Sequence, residues 1–320
     1  MKAIRYHAYG PPAVLRLEDV DTPAVGDDEV LIRVRAASVN AGDRHFMRGA
    51  PYIFRAMAGL TRPKVPMLGT DLAGHVEMVG RNVTSWRLGD EVFGCAVGAL
   101  AEYVSIRHDG AVARKPAGLT FEQAAAVPTA AVTALEALRG RVRAGDRVLV
   151  NGAAGGVGTF AVQIAKALGA EVTGVCGNSN VKLVRAIGAD HVIDYSTSDF
   201  ARAEGRYDLL LDNVGNRSLA DCRRVLAPTG TFVPNSGTGG RWIGPMGRIV
   251  TALLLSLVGR KKTANFVTRP KAADLDALCE LIEAGEVTPV VDRTYPLSEV
   301  AEAMTHLETG HARGKIVITM

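Results

Sequence analysis

The chain has 320 residues, of which 48% are hydrophobic and 22% charged, values typical of a soluble globular protein and not of a disordered one. This length exceeds what one hydrophobic core usually supports, so the sequence predicts two domains or one interrupted domain. A net charge of +4 and an aromatic share of 5% are too low for a nucleic-acid-binding surface, although they suit a small anionic ligand.

The cysteines lack the spacing of a metal site or of a disulfide framework, and they are Cys95, Cys176, Cys222 and Cys279. Such scattered cysteines predict a reducing, cytoplasmic compartment. The first residues contain no apolar signal core, and the longest apolar run, Ile249–Val258, is too short to cross a bilayer.

The first third of the chain, up to about Leu119, has the features of a mostly β unit. Turn signals at Val25–Asp28 and Leu88–Asp90 interrupt it. In the run Glu29–Arg35 the even-numbered residues are Val, Ile and Val, and they alternate with Leu, Arg and Arg. This alternation predicts a half-buried strand.

The pattern changes at Thr120, which together with Gln123 has the spacing of a capping box at the start of a helix. Strand-like and helix-like segments then alternate. The predicted strands are Arg147–Asn151, Glu171–Val175, His191–Asp194, Leu209–Asp212 and Gly230–Pro234, and the helices are Val157–Leu168 and Lys182–Ile187. This alternation is typical of a doubly wound parallel sheet.

The alternation ends after residue 236. Amphipathic helices are predicted over Asp274–Glu283 and Ser298–Leu307, followed by a strand over Lys315–Thr319. These elements are expected to return to the first domain and to close its sheet.

A glycine-rich turn lies between a predicted strand and a predicted helix, in the run Val148–Gly158. Glycine lets the backbone approach a pyrophosphate, and the free amides of the helix N-terminus favour an anion. A purely structural turn is the alternative, but the flanking strand and helix favour dinucleotide binding. The predicted contacts are Ala153, in place of the usual first glycine, and Gly155, Gly156, Val157 and Gly158.

The residues after the second strand of this domain bear on the choice of cofactor. A carboxylate there would bind the ribose hydroxyls and favour NAD. Instead the chain has Asn178 and Ser179, and then Lys182 and Arg185. These amide, hydroxyl and cationic donors favour the 2′-phosphate of NADPH, and the alternative is that the two cations are solvated helix charges.

Short motifs of one family recur along almost the whole chain. In the first domain they are Ser38–Asp43, Arg48–Gly49, Leu68–Gly74, Gly89–Gly94 and Ala101–Tyr103. Beyond it, besides the glycine loop, they are Ala124–Pro128, Thr133–Ala134, Gly188–Asp190, Val192–Tyr195, Asp212–Gly215, Asp292–Ser298 and Gly310–Lys315. With this combination the chain resembles the medium-chain dehydrogenase/reductase superfamily, specifically its zinc-free quinone oxidoreductase (zeta-crystallin-like) branch.

The resemblance implies an α/β protein with two domains. A GroES-like, mostly β catalytic domain would comprise residues 1–120 and 272–320, and a Rossmann domain would comprise residues 121–271, with the active site in the cleft between them. Similar members reduce quinones or the C=C bond of α,β-unsaturated carbonyls with NADPH, and they form dimers through the edge of the Rossmann sheet. The implied partners are therefore a small-molecule carbonyl or quinone and a second copy of the chain, and not nucleic acid.

The superfamily also contains zinc enzymes, whose catalytic zinc uses an early cysteine, a Gly-His-Glu segment and a later ligand. This chain has Asn40–Asp43 at the first place and Thr70 and Asp71 at the second. The other potential ligands, which have no motif spacing, are His45, His75, His108 and Cys95. The expectation is that the protein has no metal site.

The resemblance places Asn40 near the nicotinamide ribose and the substrate. His45 stands where relatives often have a tyrosine, and Tyr52 lies near a further aromatic position. Either could donate a hydrogen bond to the negative charge that develops on the substrate oxygen, and His45 as an imidazolium could also protonate the product. The alternative is an exposed loop histidine and a packing tyrosine.

Further positions match family residues around the cofactor. Thr129 and Thr133 match positions that line the nicotinamide pocket, and Asn213 and Val214 match positions near the adenosine ribose. Tyr195 stands where an aromatic ring covers the adenine or contacts the 2′-phosphate. Packing is the alternative role for each of them.

The stretch Arg241–Lys262 departs from the alternation, because an apolar centre lies between Arg248 and the basic triplet Arg260–Lys262. A helix in a dimer interface, a lid over the substrate pocket or a segment on a membrane surface would each explain it. Interface or lid is preferred, because relatives dimerise near this place.

Three functions are consistent with these features. The leading one is NADPH-dependent, zinc-independent reduction of a quinone or of an activated C=C bond. The second is an NADP-dependent alcohol or aldehyde reductase that acts on C=O, which needs the same cofactor cleft. The third is an NADPH-binding structural or regulatory protein without turnover.

Overall fold

The computed structural model describes residues 1–202, 205–236, 242, 244, 246–257, 261–264 and 268–320. The strands within these ranges are β1 (Lys2–Arg5), β2 (Arg16–Asp19), β3 (Glu29–Val39), β4 (Asp71–Val79), β5 (Glu91–Cys95), β6 (Tyr103–Arg107), β7 (Val112–Arg114), β8 (Arg147–Asn151), β9 (Glu171–Cys176), β10 (His191–Asp194), β11 (Tyr207–Asp212), β12 (Leu226–Pro234), β13 (Lys262–Thr263), β14 (Val291–Pro296) and β15 (Lys315–Thr319). The helices are α1 (Ala41–Arg48), α2 (Ile53–Ala58), α3 (Phe121–Ala125), α4 (Pro128–Leu138), α5 (Gly156–Ala167), α6 (Val181–Ala186), α7 (Leu219–Arg224), α8 (Met246–Leu257), α9 (Ala272–Glu283) and α10 (Val300–Glu308).

The chain divides into two compact units. Unit 1 comprises Met1–Val132, Arg269–Gly285 and Pro289–Met320, and unit 2 comprises Thr133–Thr268 and Glu286–Thr288. The domain limits predicted from the sequence, at residues 120 and 272, stay a prediction.

Unit 2 contains a six-stranded sheet in the order β10-β9-β8-β11-β12-β13, in which every neighbouring pair is parallel. The predicted doubly wound sheet is thereby confirmed. Its central strands are apolar runs such as Val148–Val150 and Leu209–Leu211, all fully or almost fully buried, as expected of strands covered on both faces. The winding reverses between β8 and β11, and the carboxyl ends of strands at such a point open a crevice for a ligand.

Two strands of unit 2 begin earlier than predicted. β11 begins at Tyr207 instead of Leu209, and β12 begins at Leu226 instead of Gly230. The residues Pro228–Gly230 have the composition of a turn, which hid the first half of β12. The pairing of the two strands shifts register between Tyr207 and Leu209, so an irregular start is accommodated without breaking the sheet.

Unit 1 contains a seven-stranded sheet in the order β14-β15-β3-β4-β5-β7, with β6 also paired to β3. The C-terminal elements do return to this sheet, because β15 pairs antiparallel with β3 along Ala36–Val39. β3 is therefore longer than the predicted Glu29–Arg35. Leu31 is also buried, so the strand is covered more fully than its alternation indicates.

The start of α3 agrees with the capping signal in the sequence. Thr120 Oγ1 accepts from the backbone N–H of Gln123 at 3.2 Å, and Gln123 Oε1 accepts from the N–H of Thr120 at 3.0 Å, which completes the predicted capping box of α3. The helix predicted from Ser298 begins instead as a 3₁₀ turn over Leu297–Glu299 and continues as α10.

Within the stretch Arg241–Lys262, the structure shows the helix α8, followed by β13 on the edge of the parallel sheet. Positions 241, 243, 245 and 258–260 of this stretch lie outside the described residues. None of the helices in the described ranges has the length and hydropathy needed to span a membrane.

Candidate active site

The glycine loop connects β8 to α5. Gly152 adopts a left-handed conformation with φ of +82°. The backbone N–H groups of Gly152 and Ala153 donate to the carbonyl oxygen of Val175, at 3.2 and 3.0 Å. A Cβ atom at Gly158 would lie 2.0 Å from the carbonyl oxygen of Gly152, so the loop can turn this tightly only when position 158 has no side chain.

The side chain of Ala153 is accommodated by a glycine on the neighbouring strand. Ala153 is fully buried. A Cβ atom built at Gly174 of β9 would lie 3.0 Å from the Cβ atom of Ala153. Gly155 borders open space, because the nearest atom to a Cβ there would be the Gly152 carbonyl oxygen at 3.6 Å. The predicted pair Gly156–Val157 begins α5, and the first N–H groups of a helix suit an anion.

The segment that follows β11 lies against the glycine loop. A Cβ atom at Gly152 would lie 2.8 Å from Cγ2 of Val214 and 3.4 Å from Cβ of Asn213. Oδ1 of the buried Asp212 accepts from Nδ2 of Asn151 at 2.8 Å, which joins the ends of β8 and β11. The structure therefore brings the predicted cofactor residues of both segments together where the winding of the sheet reverses.

Arg248 of α8 anchors this segment, a role that the sequence analysis missed. Its Nη2 donates to Oδ2 of Asp212 at 2.9 Å, and the two side chains are 12% and 0% exposed. The guanidinium carbon also lies 5.7 Å from the ring centroid of Phe232. The only sequence signal was a basic residue beside an apolar run, a pattern too common to indicate a buried ion pair.

The predicted 2′-phosphate site lies in the turn after β9. Asn178, Ser179 and Lys182 are exposed there. The hydroxyl of Tyr195 approaches the same turn, since a Cβ atom at Gly177 would lie 2.9 Å from it. Tyr195 can take this position because residue 177 has no side chain.

A carboxylate lies at this turn, contrary to expectation. Oδ2 of Asp194 accepts from Nδ2 of Asn178 at 2.9 Å, so part of the donor capacity of Asn178 is used within the protein. No acidic residue directly follows β9 in the sequence, but β10 ends beside it, with Asp194 in register with Cys176. The hydrogen bond from the Ser196 hydroxyl holds the pKa of Asp194 below its ordinary value.

A second polar cluster is buried in unit 1 around Asp71, which is fully buried at the start of β4. Its Oδ1 accepts from the backbone N–H and the hydroxyl of Thr129, at 3.1 and 2.5 Å. Its Oδ2 accepts from Nδ2 of Asn40 at 2.9 Å and from the hydroxyl of Ser38 at 3.2 Å. One carboxylate thus contacts two predicted site residues, Asn40 and Thr129.

Lys315, at the start of β15, supplies the opposite charge in this cluster and is 3% exposed. Its Nζ lies 3.3 Å from Oδ2 of Asp71 and 3.3 Å from the carbonyl oxygen of Val39, and it donates to Oδ1 of Asn40 at 2.5 Å. These three acceptors match the three N–H donors of a lysine. Lys315 belongs to a family motif in the sequence, but nothing there predicted its partners.

Asp43 gives unit 1 a predicted dependence on pH. Burial raises the pKa of its carboxyl to about 7, above the value of about 3.9 in an unfolded chain. Between these two pKa values, Asp43 binds more protons in the folded state than in the unfolded state. The stabilising contribution of Asp43 is therefore present below about pH 4 and is lost as the pH rises through about 7. Asp43→Asn is expected to flatten this dependence, measured by urea denaturation at a series of pH values. A slope unchanged by the substitution would contradict the assignment.

His45 lies in α1, not in an exposed loop. Its ring stacks on Phe54, with centroids 5.4 Å apart, and Nδ1 lies 2.9 Å from the carbonyl oxygen of Ala50. Burial lowers the pKa of His45, which favours the neutral ring. A neutral ring that donates from Nδ1 to the carbonyl oxygen of Ala50 keeps a lone pair on Nε2. This geometry does not favour the predicted role of His45 as an imidazolium that protonates the product.

The remaining predicted residues have partners of their own. The ring of Tyr52 faces the guanidinium of Arg55, 4.8 Å from ring centroid to guanidinium carbon. Thr133, one turn beyond Thr129 on α4, lies with its hydroxyl oxygen 3.1 Å from that of Thr268. These contacts place the side chains but leave their roles toward a ligand as predictions.

The cluster around Asp71 also contains a cysteine thiol and a cation. Sγ of Cys95 lies 3.5 Å from Oδ1 of Asp71, but the ammonium group of Lys315 occupies the other side of the same carboxylate. A cation beside a prospective ligand opposes the binding of a second one. Across the part of the chain that the structure describes, no three His, Cys, Asp or Glu side chains converge to hold a metal ion.

Comparison with known proteins places these units in a family. Residues 26–136 match the alcohol dehydrogenase GroES-like domain, and residues 187–318 match the zinc-binding dehydrogenase family. The chain is 34% identical over 360 residues to the mitochondrial NAD(P)H oxidoreductase RTN4IP1 of Bos taurus, covering 98% of this chain and 87% of that protein. It is 34% identical over 339 residues to the chloroplastic NADPH-dependent alkenal/one oxidoreductase of Arabidopsis thaliana, covering 99% and 79%.

A solved structure extends the likeness to the whole chain. The quinone oxidoreductase of Coxiella burnetii superposes with a TM-score of 0.88 at 32% identity, covering 100% of this chain and 99% of that one. The GroES-like fold of unit 1 and the oxidoreductase character of the chain are thereby confirmed. The protein belongs to the medium-chain dehydrogenase/reductase superfamily, in its quinone oxidoreductase-like branch.

Proposed function

We propose that this protein uses NADPH to reduce a quinone or the C=C bond of an α,β-unsaturated carbonyl, without a metal ion. The observation that carries the proposal is the meeting of the glycine loop with Asn213 and Val214 at the ends of β8 and β11. The names of the quinone and alkenal/one oxidoreductases to which the chain is similar support the substrate class.

The residues around the glycine loop fit a dinucleotide. Gly155 leaves room above the N-terminus of α5, where a pyrophosphate would accept from the helix N–H groups. Asn213 and Val214 would border the adenosine ribose. Ser179, Lys182 and the hydroxyl of Tyr195 would bind the 2′-phosphate, with Asp194 as an opposing charge that Asn178 partly screens.

The bound cofactor would supply a hydride, and the charge that develops on the substrate oxygen would need stabilisation from the protein. Asn40 and Thr129, which meet at Asp71, would orient the reactants. Of the two predicted donors, His45 is disfavoured, because Nδ1 of its neutral ring is engaged with the carbonyl oxygen of Ala50 and Nε2 then carries no hydrogen. The Tyr52 hydroxyl stays a candidate from its position in the sequence.

Zinc independence is part of the proposal. Its support is chemical: Thr70 stands in place of a histidine ligand, and the carboxylate of Asp71 already pairs with Lys315. A zinc ion at this place would have to displace a buried ammonium group. The name of the matching zinc-binding family would then describe ancestry.

The proposed function predicts that the protein oxidises NADPH in the presence of quinones or enones. The loss of NADPH absorbance measures this reaction. The panel should contain a quinone, an enone, an alkenal and an aldehyde, each also tested with NADH and after treatment with a chelator. We expect turnover with a quinone or enone, a preference for NADPH over NADH and no effect of the chelator. Turnover of the aldehyde alone would favour the alcohol or aldehyde reductase, and binding of NADPH without any turnover would favour the binding protein.

A homodimer and a cytoplasmic location complete the proposal. The dimer is supported by the resemblance and by α8, which exposes Val250 and Leu254 by 50% and 60% near the edge strand β13. The location is supported by the scattered cysteines. Contact with a membrane surface is the less favoured alternative role for the exposed side chains of α8. Light scattering of the protein in solution would reveal the dimer.

A further inference from the structure

The side-chain amide of Asn40 lies between two groups of opposite charge. Its oxygen accepts from Nζ of Lys315 at 2.5 Å, and its nitrogen donates to Oδ2 of Asp71 at 2.9 Å and more weakly to Oγ1 of Thr70 at 3.4 Å. Asn40 is partly exposed, whereas Asp71 and Lys315 are 0% and 3% exposed. A buried ion pair therefore holds the side-chain amide of a partly exposed residue.

The ion pair allows only one orientation of this amide. A lysine can only donate and a carboxylate can only accept, so Oδ1 must face Lys315 and Nδ2 must face Asp71. The flipped amide would direct its oxygen at the carboxylate and its N–H groups at the ammonium, and both contacts would be repulsive. With an uncharged pair of side chains, no such preference would exist.

The same carboxylate also fixes Thr129. The Thr129 hydroxyl donates its one hydrogen to Oδ1 of Asp71, and the backbone N–H of Thr129 donates to the same oxygen. Asn40 precedes α1 and Thr129 lies in α4, so one buried group sets the positions of two side chains from distant parts of the chain.

We propose that Asp71 and Lys315 are positioning residues. They lock the orientation of the Asn40 amide on one oxygen of the Asp71 carboxylate and hold the Thr129 hydroxyl on the other oxygen. This proposal rests on the proposed function, in which Asn40 and Thr129 orient the cofactor and the substrate. Asp71 and Lys315 act through these residues and do not themselves contact a ligand. A misplacement of such groups by about 1 Å typically lowers a rate by about 10²-fold.

The test uses the uncharged double variant Asp71→Asn/Lys315→Met in the full-length protein. Removing both charges together avoids an unpaired buried charge, so the variant is expected to be more stable than Lys315→Met alone and to remain folded at the assay temperature. We expect its kcat/KM with the best acceptor of the panel to fall by about 10²-fold, because Asn40 is no longer locked. The control is Ser38→Ala, which removes another hydrogen bond to Asp71 and should leave kcat/KM nearly unchanged.

A second measurement does not depend on turnover. In the ¹H–¹⁵N spectrum of protein labelled at asparagine, the Nδ2 hydrogens of Asn40, assigned with Asn40→Ala, should be shifted in the wild type by the carboxylate and should lose this shift in the double variant. Unchanged Nδ2 signals in the double variant, or an unchanged kcat/KM, would overturn the proposal. If the wild type turns over no acceptor, the proposed function fails, whereas the spectrum still decides whether the lock exists.

Discussion

Replacing Gly158 by alanine is expected to weaken NADPH binding by at least about tenfold, or roughly 1.4 kcal/mol, and to destabilise unit 2 by roughly 1–3 kcal/mol. The added methyl group would lie 2.0 Å from the Gly152 carbonyl oxygen and 2.8 Å from Cα of Ala153. Both neighbours are backbone atoms, so the loop must move as a whole. The same movement would displace the N–H groups that a pyrophosphate needs.

Two further alanine substitutions separate the effects on binding and on stability. Gly155→Ala has space in the loop, since its Cβ would lie 3.6 Å from the nearest atom. It should therefore keep the wild-type melting temperature but weaken binding, because its methyl group occupies the space above the helix N-terminus. Gly118→Ala, with no atom within 4 Å of its Cβ, should change neither. Calorimetric titration measures the affinity for NADPH, and thermal denaturation measures the melting temperature. An affinity of Gly158→Ala equal to that of the wild type would show that the loop is not the binding site.

Replacing Lys315 by methionine is expected to lower the free energy of unfolding of unit 1 by about 3–5 kcal/mol. The substitution leaves the fully buried carboxylate of Asp71 without its cation. An uncompensated buried charge is among the costliest single defects in a protein.

The unfolding of unit 1 can be followed through Trp86, which packs against the core of that unit. Trp242 is 74% exposed and should be replaced by phenylalanine in all variants, so that fluorescence reports on one site. Adding Asp71→Asn to Lys315→Met should recover most of the lost stability. Lys2→Ala, which removes an ion pair whose side chains are 50% and 75% exposed, should leave the stability almost unchanged. A loss from Lys315→Met no larger than that from Lys2→Ala would refute the prediction.

Local signals in the sequence were enough for the parallel sheet and for the glycine loop. β8, β10 and β15 begin and end as predicted, because each is an apolar run between polar residues. The start of β12 was missed because its pairing with β11, and not its composition, makes those residues a strand. The loop was recognisable because strand, turn and helix follow one another directly along the chain.

The contacts that hold the candidate site could not be predicted in this way. Asp71 and Lys315 stand in motifs far apart, and only the pairing of β15 with β3 and of β3 with β4 brings them together. Arg248 and Asp212 are also far apart in the sequence, and only the folded structure brings α8 to the end of β11. Asp194 was overlooked for a related reason, since its proximity to Asn178 follows from the register of β10 on β9.

The pairing of Lys315 with Asp71 also sets an order for events during synthesis. The residues of unit 2 precede β15 in the chain and therefore leave the ribosome before it. Until β15 emerges, the sheet of unit 1 lacks the strand beside β3, and Asp71 lacks its cation. Unit 2 can thus complete its folding during translation. Unit 1 must wait for β15, which is synthesised after all the residues of unit 2.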